Sequence, residues 1–116
     1  MKQDNKAAEA AKTTYDGGIS EDQLNKWKHQ HRKVTRIDVA DDEEFHVGYF
    51  KRPSMEVMAA VTKTAKTDEM KSAQILFDGC WLGGSEYLRQ DAVLFTACMG
   101  QLNKAFAACT ASIKNL

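Results

Sequence analysis

The chain has 116 residues, 43% of them hydrophobic, and its 16 basic side chains balance 16 acidic ones, giving a formal net charge of +0. That length suits a single domain, and that apolar fraction argues against a disordered chain. A neutral balance argues against a dedicated nucleic-acid binder, whose affinity is dominated by phosphate contacts, and offers little attraction to an anionic membrane.

Met1 to Lys6 lead into an Ala-rich polar stretch with no apolar h-region, so no secretory signal is expected in this sequence. No apolar run approaches the length that spans a bilayer. The expected location is the cytoplasm.

Residues 2–14 are rich in Ala, Lys and Glu but carry no apolar stripe, and Tyr15-Asp16-Gly17-Gly18 reads as a break. Residues 1–18 are therefore expected to be a flexible tail, and residues 19–116 a single α+β domain. That domain begins with a clear helix start. Ser20 as N-cap and Gln23 three residues on form a capping box, and Ile19 is placed to pack on Leu24. Glu21 and Asp22 favour the positive end of the helix dipole. The helix should reach about His31, with Leu24 and Trp27 on one face.

Val34 to Val39 alternates, with Thr35, Ile37 and Val39 on one side, and Phe45 to Tyr49 alternates again, with Phe45, Val47 and Tyr49 inward. The acidic run Asp41-Asp42-Glu43-Glu44 between them is a turn, so the pair reads as an antiparallel hairpin. A lone hairpin is marginal in water. It must lie on helices or gain strands from another chain.

Pro53 opens the next helix, with Met55, Met58, Ala59 and Thr62 as its stripe to about Ala65. A further helix starts at Thr67-Asp68-Glu69, with Thr67 as cap, and its apolar face is Met70, Ala73, Leu76-Phe77 and Cys80-Trp81. Gly83-Gly84 is expected to stop it in a left-handed cap. Ser85 to Gln90 is a connector with room for one helical turn. Asp91 can cap the last helix, whose stripe runs Phe95, Cys98, Leu102, Ala105-Phe106, Cys109, Ile113 and Leu116. The architecture is one helix, a hairpin, then three helices packed on it.

Residues that could carry chemistry are few. His29 and His31 are two apart and diverge on a helix, and His46 has no second ligand at a matching spacing, so no metal site is expected. Cys80, Cys98 and Cys109 fall on expected core faces, where a thiol is inert, and three cysteines in apolar stretches do not form a disulfide framework. No Gly-x-Ser-x-Gly elbow and no phosphate loop occurs. No catalytic residues and no cofactor are expected, and the chain is read as a non-enzyme.

Two surfaces remain as candidates. Lys26, Lys28, Arg32, Lys33 and Arg36 form a basic segment that could touch phosphate with Trp27 stacked on a base. Without a second basic element it reads first as a solvated helix end balanced by the acidic turn. Tyr49, Phe50, Arg52, Met55, Met58 and Leu82 gather aromatic, cationic and thioether groups around the strand-to-helix joint. Phe50 falls on the face opposite Tyr49, so it is either an exposed contact surface or a residue packed beneath a helix.

The order of elements carries a resemblance. A strand with Lys33-Val34, Ile37 and Val39 precedes Tyr49-Phe50-Lys51-Arg52-Pro53 at a helix start. The run Ala73-Gln74-Ile75-Leu76-Phe77-Asp78-Gly79-Cys80-Trp81-Leu82-Gly83-Gly84 and a final amphipathic helix follow. From about Trp27 to Leu116 this resembles small proteins of phages and prophages of Bacteroides-type bacteria, similar in size and layout to phage tail assembly chaperones. The resemblance implies a non-catalytic, mostly helical protein that coats the aggregation-prone tape measure protein while tail tube subunits polymerise around it. Met55, Met58 and Met70 would supply adaptable apolar surface, and the hairpin edge would invite self-association, so a homo-oligomer is expected. A nucleic-acid-associated protein using residues 26–36, or a structural component of the virion, are the competing expectations.

Overall fold

Phe50, placed at the surface or beneath a helix by its alternation, lies at the centre of the molecule with 0% of its area exposed. The computed structural model describes residues 13–116. In chain order they form β1 (Thr13–Tyr15), α1 (Glu21–Gln30), β2 (Val34–Asp41), β3 (Glu44–Lys51), α2 (Met55–Ala65), α3 (Glu69–Cys80), β4 (Trp81–Gly84), α4 (Tyr87–Gln90) and α5 (Ala92–Ala107). The fold is α+β.

The hairpin forms as its pattern predicts, with Asp41 opposite Glu44 and Val34 opposite Lys51. Asp42 takes the turn at φ 49, a conformation an aspartate tolerates better than most side chains. β3 is the central strand. β2 covers one of its edges along the full length, and two short strands share the other. β1 runs parallel to Glu44–His46, and β4 runs antiparallel to Gly48–Phe50. The hairpin is thus completed by its own chain, and the β3 edge is not open to a second copy.

The short strands meet end to end at two glycines in the left-handed region, Gly17 at φ 69 and Gly84 at φ 137. A Cβ on Gly17 would collide with the Gly84 carbonyl, and one on Gly84 with the Val47 carbonyl. Only glycine permits this approach. The tail assignment therefore needs correcting in part. Residues 13–18 are strand and turn, because Tyr15 has a ring to stack on; residues 1–12 lie outside the described residues.

Both faces of the sheet are covered, which is why alternation alone misjudged the faces. The register pairs Ile37 with Gly48 and Val39 with His46. Ile37, Val39 and Phe50 therefore point to one core, beside Phe77, Cys80, Leu88, Phe95, Cys98 and Leu102. Phe45, Val47 and Tyr49 point the other way, under α1, where Trp27 heads a second cluster with Ile19, Leu24 and Leu82.

Caps fall close to their sequence signals. Ser20 accepts from the Gln23 amide, and Asp91 accepts from Val93 and Leu94. Ser54, rather than a first turn begun at Pro53, caps α2, and Asp68 caps α3 in place of Thr67. The core side of α2 is Val57 and Val61. Met55 and Met58, expected within its stripe, face outward. α3 ends at Cys80, and Trp81–Gly84 continues as strand β4, because an unpaired stretch of β3 edge offers backbone partners there.

The last helix stops at Ala107, and Ile113 and Leu116 are exposed. Phe106 is the last apolar residue of the stripe to reach the core. Beyond it a further turn would bury nothing to offset its ordering cost.

Candidate functional site

The expected interface residues divide into two groups. Phe50 packs edge-on against Phe77 at 5.2 Å and against Trp81 at 5.5 Å, and is core. Tyr49 is buried against Trp27, ring centroids 5.9 Å apart, and Leu82 is half-buried in the same cluster. Phe50 and Tyr49 are corrections, and their cause is one: helices cover both faces of the sheet, while Leu82 keeps part of its surface exposed.

Arg52, Met55 and Met58 do reach the surface. Met55 is 86% and Met58 40% exposed. Met58 and Arg52 open onto a groove of about 320 Å³ whose floor and walls include Pro53, Leu76 and Phe106. Met70, 56% exposed, borders a second apolar groove with Ala73, Phe95 and Met99. Flexible thioethers over an apolar floor suit partners of variable shape.

Of the basic residues, Lys26, Lys28, Arg32, Lys33 and Arg36 are all exposed. Arg36 is engaged with Asp38 at 2.8 Å, an interaction that raises its pKa further. Trp27 is buried under the sheet and cannot stack on a base, so the segment lacks the aromatic platform expected of it.

A site that the sequence did not announce lies at the junction of β1, β3 and α4. His46 is fully buried, with Nδ1 at 2.7 Å from Ser85 Oγ and Nε2 at 2.8 Å from a Glu44 carboxylate oxygen. The Tyr15 ring stacks on the imidazole at 4.8 Å with planes 9° apart, and Tyr87 meets both rings edge-on. A carboxylate only accepts, so Nε2 carries a proton, and with the imidazole neutral Nδ1 takes the hydrogen bond donated by Ser85. A hydroxyl, an imidazole and a carboxylate in this sequence can activate a nucleophile. Here the imidazole is sealed beneath Tyr15 and Ser85 is only 3% exposed, so the chain acts as a clamp between β3 and the head of α4. Above it opens a cleft of about 490 Å³, lined by Tyr15, Asp16, Ser85, Glu86 and Tyr87 among others. The available signals were the position of His46 on a strand face shared with Phe50, and Gly83-Gly84-Ser85 at a strand-to-helix junction.

The thiols also divide. Burial pushes Cys80 up to about 11 and Cys98 up to about 12, consistent with inert core groups. Cys109, expected in the core, is exposed because α5 ends before it. Among the described residues no group of three or more His, Cys, Asp or Glu side chains could hold a metal ion. No described helix is long and apolar enough to cross a membrane.

The fold and these two surfaces define an α+β domain with an apolar groove and an aromatic, acidic cleft. Comparison with protein-family models, curated proteins and solved structures returns no match in any of the three.

Proposed function

We propose that the chain is a non-catalytic protein-binding domain that covers an apolar helical segment of a partner, in the manner of a phage tail assembly chaperone acting on the tape measure protein. One observation carries this reading: Met58 lines an apolar groove with Pro53, Leu76 and Phe106, and Met55 stands exposed one helical turn before it on α2. The resemblance from Trp27 to Leu116 supplies the partner. Such a protein works in the host cytoplasm. β2 is the longest edge strand of the sheet, and the edge through which copies would associate.

Co-expression with the tape measure protein of the same genome tests the reading. The chain should hold that protein in solution, and a Met55→Glu, Met58→Glu double variant should release it while keeping its helical circular dichroism. Equal recovery with both versions would overturn the proposal. Exposed Lys26, Lys28, Arg32 and Lys33 keep nucleic acid as the second reading. Phosphate binding would weaken steeply between low and moderate salt, whereas groove binding would not. A role as a virion component would place the chain in purified particles.

A further inference from the structure

The cleft above His46 is built from electron-rich groups. Its lining among the described residues includes Asp16 and Glu86 and the rings of Tyr15 and Tyr87, and no Lys, Arg or His. The two rings stand 5.3 Å apart at 80°, forming a corner. Ser85 completes the floor. Its oxygen lies 2.7 Å from His46 Nδ1, and with the imidazole neutral and Glu44 holding a proton on Nε2, the Ser85 proton goes to Nδ1. The oxygen lone pairs of Ser85 are what it has left to offer.

Both carboxylates keep an oxygen free of the bonds that hold them. Asp16 Oδ1 accepts from the Gly18 amide at 2.9 Å, which fixes the side chain and leaves Oδ2. Glu86 receives one long contact of 3.4 Å from Arg89, which is itself drawn towards Asp78 at 3.2 Å. Aromatic faces and carboxylates around one cavity attract a cation, the rings through their quadrupoles and the acids through charge. An anion would meet repulsion from Asp16 and Glu86.

We propose that this cleft binds a guanidinium or ammonium group, presented as an arginine or lysine side chain of the partner protein. The inference rests on the protein-binding reading and gives it a second contact, chemically distinct from the methionine groove. Apolar contacts in a groove tolerate many sequences, whereas a cation held at the Tyr15–Tyr87 corner beside Asp16 and Glu86 fixes where a partner helix or strand must place its charge.

The test titrates the full ¹⁵N-labelled chain with N-acetyl-arginine methylamide, N-acetyl-lysine methylamide and their neutral analogue N-acetylnorleucine methylamide, following amide shifts. The cationic probes should move Asp16, Gly17, Ser85, Glu86 and Tyr87, and the neutral one should not. Glu86→Gln and Tyr87→Ala, both at exposed positions, should each weaken binding about fivefold to tenfold. Free guanidinium and methylammonium ions form a further arm, and blocked residues should bind more tightly than they do. Equal affinity for the free ions would overturn the assignment to a partner's side chain. Identical shifts from norleucine, shifts confined to the acidic turn at Asp41–Glu44, or no shift at all would overturn the site. The groove variant Met55→Glu, Met58→Glu should leave this titration unchanged, so the two readings fail separately.

Discussion

The imidazole of His46 on β3 meets the hydroxyl of Ser85 at 2.7 Å, although 39 residues separate them in the chain. The contact joins the sheet to the start of α4, and through Tyr15 it also holds β1 on the edge of β3. Among the described residues every buried side-chain nitrogen and oxygen has a partner, and this cluster is where most of that polarity is concentrated.

Removing His46 would therefore cost more than its own contacts. His46→Ala leaves a cavity and strips Ser85 of its acceptor, and is expected to destabilise the fold by about 3 kcal/mol. Ser85→Ala should cost roughly 1 to 2 kcal/mol. In a double-mutant cycle followed by urea unfolding, the pair should show a coupling of about 1 kcal/mol. Strict additivity would mean that the clamp contributes nothing.

Phe50→Ser is expected to unfold or nearly unfold the protein. It empties a fully buried site between Phe77 and Trp81 and places a hydroxyl there. The loss should be about 3 to 5 kcal/mol, a large part of what a small domain has. A variant with the parental melting temperature and reduced partner binding would instead make Phe50 a surface residue.

Deleting residues 1–18 removes Tyr15 from the face of His46 and opens half an edge of β3. The melting temperature should fall by roughly 4 to 8 °C for each kcal/mol lost. Tyr15→Ala alone should reproduce about 1 kcal/mol of that loss. An unchanged melting curve for the deletion would mean that β1 is a passive passenger.

The three thiols should report the end of α5. Cys109 is exposed and should react with a disulfide reagent in the native state, whereas Cys80 and Cys98 should react only on unfolding. Both buried thiols are raised, to about 11 and about 12 from an ordinary 9.0. They therefore add stability that is fully present below 9.0 and is lost as pH rises towards those values, since the unfolded chain then releases protons that the folded one retains. Urea midpoints should fall as pH rises above 9.0, and more gently in Cys98→Ala than in the parent. Three rapidly reacting thiols in the native protein would contradict the packing of α3 and α5.

Local pattern was enough to place the start of α1, the hairpin and its turn, the single turn at α4 and the Asp91 cap, because each depends on residues a few positions apart. The sequence also determined that Leu102 and Phe95 share one face of α5 and that the domain is α+β. What it could not convey was which surface each face would meet. Phe50 and Tyr49 looked available only because the covering of both sheet faces is a long-range outcome. Met55 and Met58 were legible both as the stripe of α2 and as adaptable surface, because helical spacing does not say which of two apolar stripes, theirs or that of Val57 and Val61, turns inward. The His46–Ser85 clamp, β1 and β4 likewise exist only once distant segments fill the open edge of β3. Periodicity is set by neighbouring residues, but burial is decided by whatever the finished fold brings against them.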